Sequence, residues 1–312
     1  MQETSFPLIF SKRPRPLVAL DWISGLLFLA GVALVFFYAP LEAVMGPVQK
    51  VFYFHVASAW VGMLGFVVAA VCGVLYLVQK RRLWDVIAVA AVELGMVFTL
   101  ITIVTGSIWA RPIWNTWWTW DPRLTTVTIM ELVYAAYLML RQGIEEPERR
   151  ARFGAVYAIV GFLSVPLTFL SIRIFRTIHP VVIGSGDPGA TGSFDMTPRM
   201  LQTFLFGLLV FSVVFVDWLW HRVRIGQMAE QVEELRLRAM DQQMRRATPG
   251  GLPVLLLGLA QEAPADTLGY MIAGYAVIFG MMAVYLVSLV VRYRNLKLDL
   301  AVLQELEEKE QS

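Results

Sequence analysis

Seven stretches of this chain are apolar over roughly the length a bilayer demands. A helix rises about 1.5 Å per residue and needs about 20 apolar residues to cross the hydrocarbon core. Residues 17–38, 51–78, 86–109, 125–140, 153–172, 201–220 and 268–291 approach or meet that length. The fourth is short, but Leu124 and its neighbours can extend it. In lipid every backbone N–H and C=O must be bonded within its own segment, so each stretch is expected as a helix. The fold class read from this pattern is all-α: a polytopic membrane helical bundle with six core transmembrane helices and one extra carboxyl-terminal span. A content of 57% hydrophobic and 16% charged residues agrees, lying far from the profile of a soluble domain.

Charge sets the expected orientation. Placing the amino terminus in the cytoplasm puts Lys12, Arg13, Arg15, Lys80, Arg81, Arg82, Arg141, Arg149, Arg150, Arg152, Arg222 and Arg224 inside. Lys50, Arg111, Arg123, Arg173, Arg176 and Arg199 remain outside, so twelve basic residues against six favour this arrangement. The first apolar run is too long for a signal-peptide core and lacks a small-residue cleavage site, so it is expected to stay as an anchor. A net charge of +2 gives no reason to expect nucleic acid as a partner, whereas membrane lipid is one. The single cysteine, Cys72, allows no intrachain disulfide and no thiolate metal cluster.

The stretch from Trp109 to Asp121 holds five of the ten tryptophans in thirteen residues, between the third and fourth spans. Indole favours the membrane interface, being apolar with an N–H that can stay wet. Five rings in one short connection exceed an ordinary aromatic belt and are expected to form a flat platform for a large planar ligand. The assumed orientation places this connection outside. Of the three histidines, His55 falls about 6 Å inside the outer end of the second span, by helical rise. His179 falls in the outer loop after the fifth span, and His221 at the inner end of the sixth.

Two imidazoles near an aromatic surface are what a haem iron requires for axial ligation. Arginine can grip haem propionates with paired, charge-assisted hydrogen bonds, and Arg111, Arg123 and Arg176 are the candidates. Each of these residues also has a plainer reading. His221 reads as a satisfied polar residue at a helix end. Asp121-Pro122 reads as the N-cap and first position of the fourth helix. Glu93 and Glu131, inside spans, are expected to face the bundle or a wet cavity, pairing with Ser, Thr or Tyr or lining a path. Asp217 lies near enough to the inner surface to reach headgroups. Gly62, Gly65 and Gly73 are expected to permit close helix packing.

Three motifs in order carry a family resemblance. Lys50-Val-Phe-Tyr-Phe-His55-Val-Ala57-Ser-Ala-Trp60-Val61 resembles the second-helix signature of the CcmC family of cytochrome c maturation proteins. Trp114-Asn115-Thr-Trp117-Trp118-Thr-Trp120-Asp121-Pro122-Arg123-Leu124-Thr125 resembles its tryptophan-rich motif. Arg176-Thr-Ile-His179-Pro180, followed by Met196-Thr-Pro-Arg-Met200, resembles its second histidine motif. The resemblance covers about residues 15–222. Asn115 stands where the family usually has glycine, and Ala57 where it often has proline. In larger relatives sharing the aromatic signature, the Trp-Asp-Pro run usually continues toward glutamate; here it continues Arg123-Leu124-Thr125.

The resemblance implies a protein of the bacterial inner membrane that handles haem b on the outer face and passes it to a periplasmic, CcmE-like haem chaperone. His55 and His179 would be the iron ligands, and Trp114, Trp117, Trp118, Trp120 and Asp121 would form the haem platform. ATP-binding and permease subunits of the maturation complex would be partners. The family is not an enzyme in the sense of making the final thioether bonds.

Residues 223–312 extend past the resemblance. Gln227 to Arg246 has a charged helical pattern, and Pro249-Gly-Gly251 breaks it. The last span and its charged tail resemble CcmD, the small single-span partner of the same system. The implied organisation is a haem-handling membrane domain over 1–222, a cytoplasmic amphipathic helix or linker over 223–248, an apolar signal-like connector over 249–267, and a CcmD-like segment over 268–312. Without a further crossing, the last span would carry Arg292, Arg294 and Lys297 outward, against the positive-inside bias. The stretch Arg245-Arg-Ala-Thr-Pro-Gly-Gly-Leu-Pro-Val-Leu-Leu-Leu-Gly-Leu-Ala-Gln261 resembles an internal signal peptide. It is expected either to take the chain outward, with or without a cut near Ala260, or to form a buried or interfacial loop. Two rival functions remain at this point. A secondary transporter calls for charged groups near the midplane. A membrane scaffold subunit of an ATP-driven transporter, with no haem ligation of its own, calls only for aromatic anchors.

Overall fold

The computed structural model describes residues 13–42, 45–175, 177, 179, 196–244 and 267–311. They form eight α-helices and no named strand, the one isolated bridge pairing Glu42 with Gly46. Seven helical spans are long and apolar enough to cross a membrane, which makes this a multi-pass membrane protein.

Helix α1 covers Arg15–Ala33, with Pro14 at its N-cap and a proline in its first turn. It widens into a π turn at Leu34–Tyr38, closed by the Ala39 N–H on the Leu34 carbonyl, and ends where Ala39 extends ahead of Pro40. Lys50 Nζ donates to the Phe36 carbonyl at 2.8 Å, satisfying an acceptor at this helix end. A 3₁₀ turn at Pro47–Lys50 leads into α2 (Val51–Gln79), and Lys80 at φ 56° turns the chain into α3 (Arg82–Trp114).

Packing in lipid gains little from hydrophobic transfer and depends on close contact. Here it is set by glycine. A Cβ on Gly65 would lie 2.7 Å from the Ala91 carbonyl oxygen, and one on Gly95 2.8 Å from the Phe66 ring. So α2 and α3 approach at a distance only glycine permits. Gly73 plays the same part against Ala155 of α5, as expected for the small residues of α2.

Helix α4 (Pro122–Gln142) begins earlier than the apolar run, because Asp121 caps it: its carboxylate accepts from Leu124 N at 2.9 Å, and Pro122 follows. The fifth span is two helices, α5 (Pro147–Gly161) and α6 (Ser164–Ile174), broken at Phe162 and Leu163. Phe66 and Tyr134 stack with centroids 3.7 Å apart and planes within 3°, joining α2 to α4. Helix α7 covers Pro198–Met244 and α8 covers Thr267–Gln311. No break separates the sixth span from the charged segment after it; at 47 residues, α7 reaches about 70 Å.

Ion pairs gather toward the end where α3 begins. Arg141 forks onto Asp85 at 2.6 and 2.8 Å, and Arg82 meets Glu230 at 2.8 Å. Arg222 forks onto Glu93 with both contacts at 2.6 Å, and Arg292 of α8 reaches the same carboxylate at 3.3 Å. Glu93 is thus held by arginines rather than by Ser, Thr or Tyr. Asp217 also departs from expectation. It is 5% exposed and bonded by Ser24 at 2.6 Å, because α1 covers it where headgroups had been expected to solvate it.

The contacts of α8 fix its direction. Phe279 packs edge-on against Phe28 and Phe54, Tyr285 stacks on Trp218, and Arg292 reaches Glu93 beside Arg222. Along α7 the same order of neighbours is met by Phe211, then Trp218, then Arg222. The two helices therefore run parallel, and Met244 and Thr267 point toward opposite ends of the bundle. Residues 245–266, which carry the signal-like stretch, lie outside the described residues.

Candidate functional site

A cavity of about 190 Å³ opens among α2, α3, α4, α6 and α7, at the tryptophan end of the bundle. Its α3 wall is made by Thr99, Thr102, Ile103, Gly106, Trp109 and Ala110, spaced as one face of a helix. From α2 come Phe52, His55, Val56 and Trp60; from α4, Arg123, Leu124 and Val127; from α6, Thr168, Phe169, Ile172 and Arg173. Trp114, Trp118 and His179 complete the lining.

The two histidines meet here. The ring centroids of His55 and His179 are 6.5 Å apart with planes at 33°. His55 Nδ1 lies 3.1 Å from Thr105 Oγ1, and that hydroxyl donates to the Ile101 carbonyl at 2.7 Å. With its one proton so used, Thr105 must accept from the imidazole, which fixes the proton on Nδ1 and leaves the Nε2 lone pair available. The ring is pressed against Gly106, where a Cβ would stand 2.9 Å from His55 Cε1. His179 is placed from the other side. Its backbone N–H donates to Thr177 Oγ1 at 3.1 Å, and that hydroxyl donates in turn to Asp121 Oδ2. Asp121 thus caps α4 with one oxygen and holds the histidine loop with the other.

The tryptophans do not form the flat ledge expected of them. Helix α3 runs on to Trp114, so only residues 115–121 are a connection. Trp109 meets Trp114 edge-on at 5.0 Å and 90°, and Trp118 meets Trp120 at 5.6 Å and 81°. Edge-to-face pairing satisfies the ring quadrupoles better than a flat sheet of indoles. Trp114 and Trp118 line the cavity; Trp117 and the 73% exposed Trp120 do not. The indole N–H groups of Trp109 and Trp118 are buried without a hydrogen-bond partner, which leaves two donors in cavity-lining residues for a polar ligand group.

The arginines separate as well. Arg123 lines the cavity, with Nη1 3.5 Å from the Phe169 carbonyl. Arg111 points elsewhere, donating to the Asn115 carbonyl at 3.0 Å and covering the Trp117 ring at 5.9 Å. Arg176 lies outside the described residues. Arg173, not among the candidates, is on the cavity wall.

Residues 4–238 match the family model described as CcmC, Heme exporter protein C. The chain belongs to that family. Heme exporter protein C of Rhodobacter capsulatus is 31% identical over 236 residues, covering 73% of this chain and 92% of its own length. That of Bradyrhizobium diazoefficiens is 32% identical over 210 residues, 67% of this chain and 76% of the relative. That of Escherichia coli K12 is 29% identical over 178 residues, 57% and 71%. The family match ends at residue 238, before α8.

Within the family frame the Asn115 departure has a simple account. Asn115 caps α3 in the left-handed region at φ 53°, which glycine adopts freely and asparagine better than other side chains. Ala57 is 1% exposed inside α2, where alanine keeps the helix continuous and a proline would remove a backbone bond. Sequence reasoning missed Thr105, Gly106, Arg173 and Thr177. The α3 face at positions 99, 102, 103, 106 and 109 was readable, but what it faces was not.

Proposed function

We propose that this protein binds haem between His55 and His179 and presents it for transfer in cytochrome c maturation. The observation that carries this reading is the 6.5 Å separation of the two imidazole centroids, both of which line the same cavity. Two imidazoles on opposite sides of one metal stand about 6 Å apart, from two metal–nitrogen bonds of about 2 Å and two ring radii of about 1 Å. Trp114 and Trp118 supply the apolar wall, while Arg123, Arg173 and the unpaired indole N–H groups of Trp109 and Trp118 are the groups suited to propionates. Haem b supplies the iron that the imidazoles grip; everything else is binding and orientation by the chain.

A cavity of about 190 Å³ is small for a whole macrocycle, since drug-sized ligands occupy pockets of roughly 300–1,000 Å³. An edge of the haem therefore stays in the mouth, as handing it to another protein requires. In this reading the membrane is the bacterial inner membrane, the amino terminus is cytoplasmic and the cavity opens outward, in keeping with the basic residues around Arg82, Arg141 and Arg222 at the other end. The recipient is a periplasmic, CcmE-like chaperone, and ATP-binding and permease subunits act on the complex. The parallel course of α7 and α8 supports reading residues 268–312 as a CcmD-like helix fused in cis.

The test is an absorption spectrum of the purified protein before and after haem reconstitution. A Soret band that is lost in the His55→Ala, His179→Ala double variant is expected. A colourless wild-type preparation after reconstitution would favour a scaffold without ligation and overturn the proposal.

A further inference from the structure

At the end of the bundle opposite the tryptophans, α1 and α7 bring Asp21, Asp217 and His221 together, with one ligand atom from each lying within 4.8 Å of the others. His221 Nε2 is 2.6 Å from Asp21 Oδ1 and 3.7 Å from Asp217 Oδ1. Asp217 and His221 share a face of α7 through their i,i+4 spacing. The other carboxylate oxygens are already engaged: Ser24 donates to Asp217 Oδ2 at 2.6 Å, and Arg13 lies 3.3 Å from Asp21 Oδ2. What remains is Asp217 Oδ1. Its residue is only 5% exposed, and no N–H or O–H donor within hydrogen-bond reach satisfies this oxygen, which faces the Asp21 carboxyl and, at 3.7 Å, the imidazole. A buried carboxylate oxygen left unbonded asks for a ligand.

We propose that Asp21 Oδ1, Asp217 Oδ1 and His221 Nε2 form a site for one divalent transition-metal ion of the zinc type, which clips α1 to α7. One imidazole with two carboxylates suits zinc and its first-row neighbours, whereas calcium and magnesium prefer oxygen alone. Ligands about 2.1 Å from a common ion in tetrahedral array stand about 3.4 Å apart. The 3.7 Å pair already has that spacing. The 2.6 Å pair is a hydrogen bond, and it opens by less than about 1 Å once the metal replaces the shared proton. Three protein ligands leave the fourth position to water. A clip is useful here because α1 buries only Leu17 and Ser24 along its length.

The experiment uses the full-length protein with a histidine-free affinity tag, in lipid nanodiscs, stripped with chelator. Zinc uptake is measured by equilibrium dialysis and cobalt(II) by its visible spectrum. One zinc per chain, a cobalt spectrum of low coordination number and a zinc-dependent rise in Tm are expected. Asp217→Asn and His221→Gln should bind at least tenfold more weakly, while the His55→Ala, His179→Ala double variant should bind as the wild type does. Should the buried Asp217 variant fail to fold, Asp21→Asn at the partly exposed ligand reads the same loss. No saturable uptake by the wild type overturns the proposal, and so does uptake abolished only by the cavity histidine variants. That comparison also separates this site from the haem reading, which neither result touches.

Discussion

Thr105 Oγ1 accepts a hydrogen bond from His55 Nδ1 at 3.1 Å while donating its own proton to the Ile101 carbonyl at 2.7 Å. The hydroxyl is therefore a selector of tautomer, acting through His55 and not on the ligand. Thr105→Val keeps the shape of the side chain and removes the acceptor. Haem affinity should fall by about 10–100-fold, the usual cost of losing a group that orients a metal-bound histidine. Thr105→Ser should restore it. Haem titration followed at the Soret band reads both; a valine variant with wild-type affinity would show that the tautomer is set by something else.

Gly106→Ala tests how closely the cavity wall supports the same ring. The added methyl would stand 2.9 Å from His55 Cε1, so the imidazole must move. Alanine in a helix is itself favourable by about 1 kcal/mol over glycine. The expected signature is thus a split: Tm unchanged or raised, but a shifted Soret band and weaker binding. Gly25→Ala, which meets nothing within 4 Å, is the matched control and should leave the spectrum alone. Parallel loss of both Tm and binding at Gly106 would mean simple misfolding instead.

The sequence carried the parts of this structure that depend on local chemistry. Spans follow from apolar length, the α4 start from Asp121-Pro122, and close packing of α2 from its glycines. The pairing of His55 with His179 was legible for a further reason, since topology leaves few places for a polar ring. What was hidden is contact between segments distant in sequence. Nothing near Glu93 announces that Arg222, 129 residues later, will fork onto it. The tryptophan stretch misled because one-dimensional spacing shows clustering but not the angle between rings. The continuity of α7 was missed because a change from apolar to charged composition marks a membrane surface without ending a helix.

Asp121 holds two things at once, and they can be separated. Its carboxylate caps α4 through Leu124 N at 2.9 Å and accepts from Thr177, which in turn receives the His179 N–H. Asp121→Ala should cost about 1 kcal/mol of stability for the lost cap and loosen His179 as well. Asp121→Ser can still cap the helix but has one oxygen only. Its Tm should recover toward the wild type while haem binding stays impaired. Equal recovery of both would remove Asp121 from the positioning of His179.

The two arginines on Glu93 should differ sharply. Arg222 is buried with the carboxylate, their side chains 10% and 18% exposed, whereas Arg292 is 52% exposed and 3.3 Å away. Arg222→Met leaves a covered charge without its main partner, at about 3–5 kcal/mol. Arg292→Met should cost about 0–1 kcal/mol. Adding Glu93→Gln to the Arg222 variant should recover part of the loss, because the stranded charge is gone. Thermal unfolding of the four proteins in nanodiscs gives the comparison, and equal losses for the two arginine variants would contradict it.

The parallel course of α7 and α8 makes the most far-reaching demand. Phe279, Tyr285 and Arg292 meet Phe54, Trp218 and Glu93 in the order that Phe211, Trp218 and Arg222 follow along α7. An antiparallel α8 would put Arg292 at the tryptophan end and break all three contacts. Met244 and Thr267 must then lie on opposite sides of the bilayer. In a Cys72→Ala background, whose native cysteine is buried, Met244→Cys and Thr267→Cys should be labelled by membrane-impermeant reagent from opposite faces. Labelling from one face would overturn the direction of α8 and with it the reading of the last span as a helix docked in cis. Intact mass of the same samples adds how the passage is made. Two products that stay together through purification would mean a cut near Ala260, with α8 retained by its contacts; one product would mean an uncut chain.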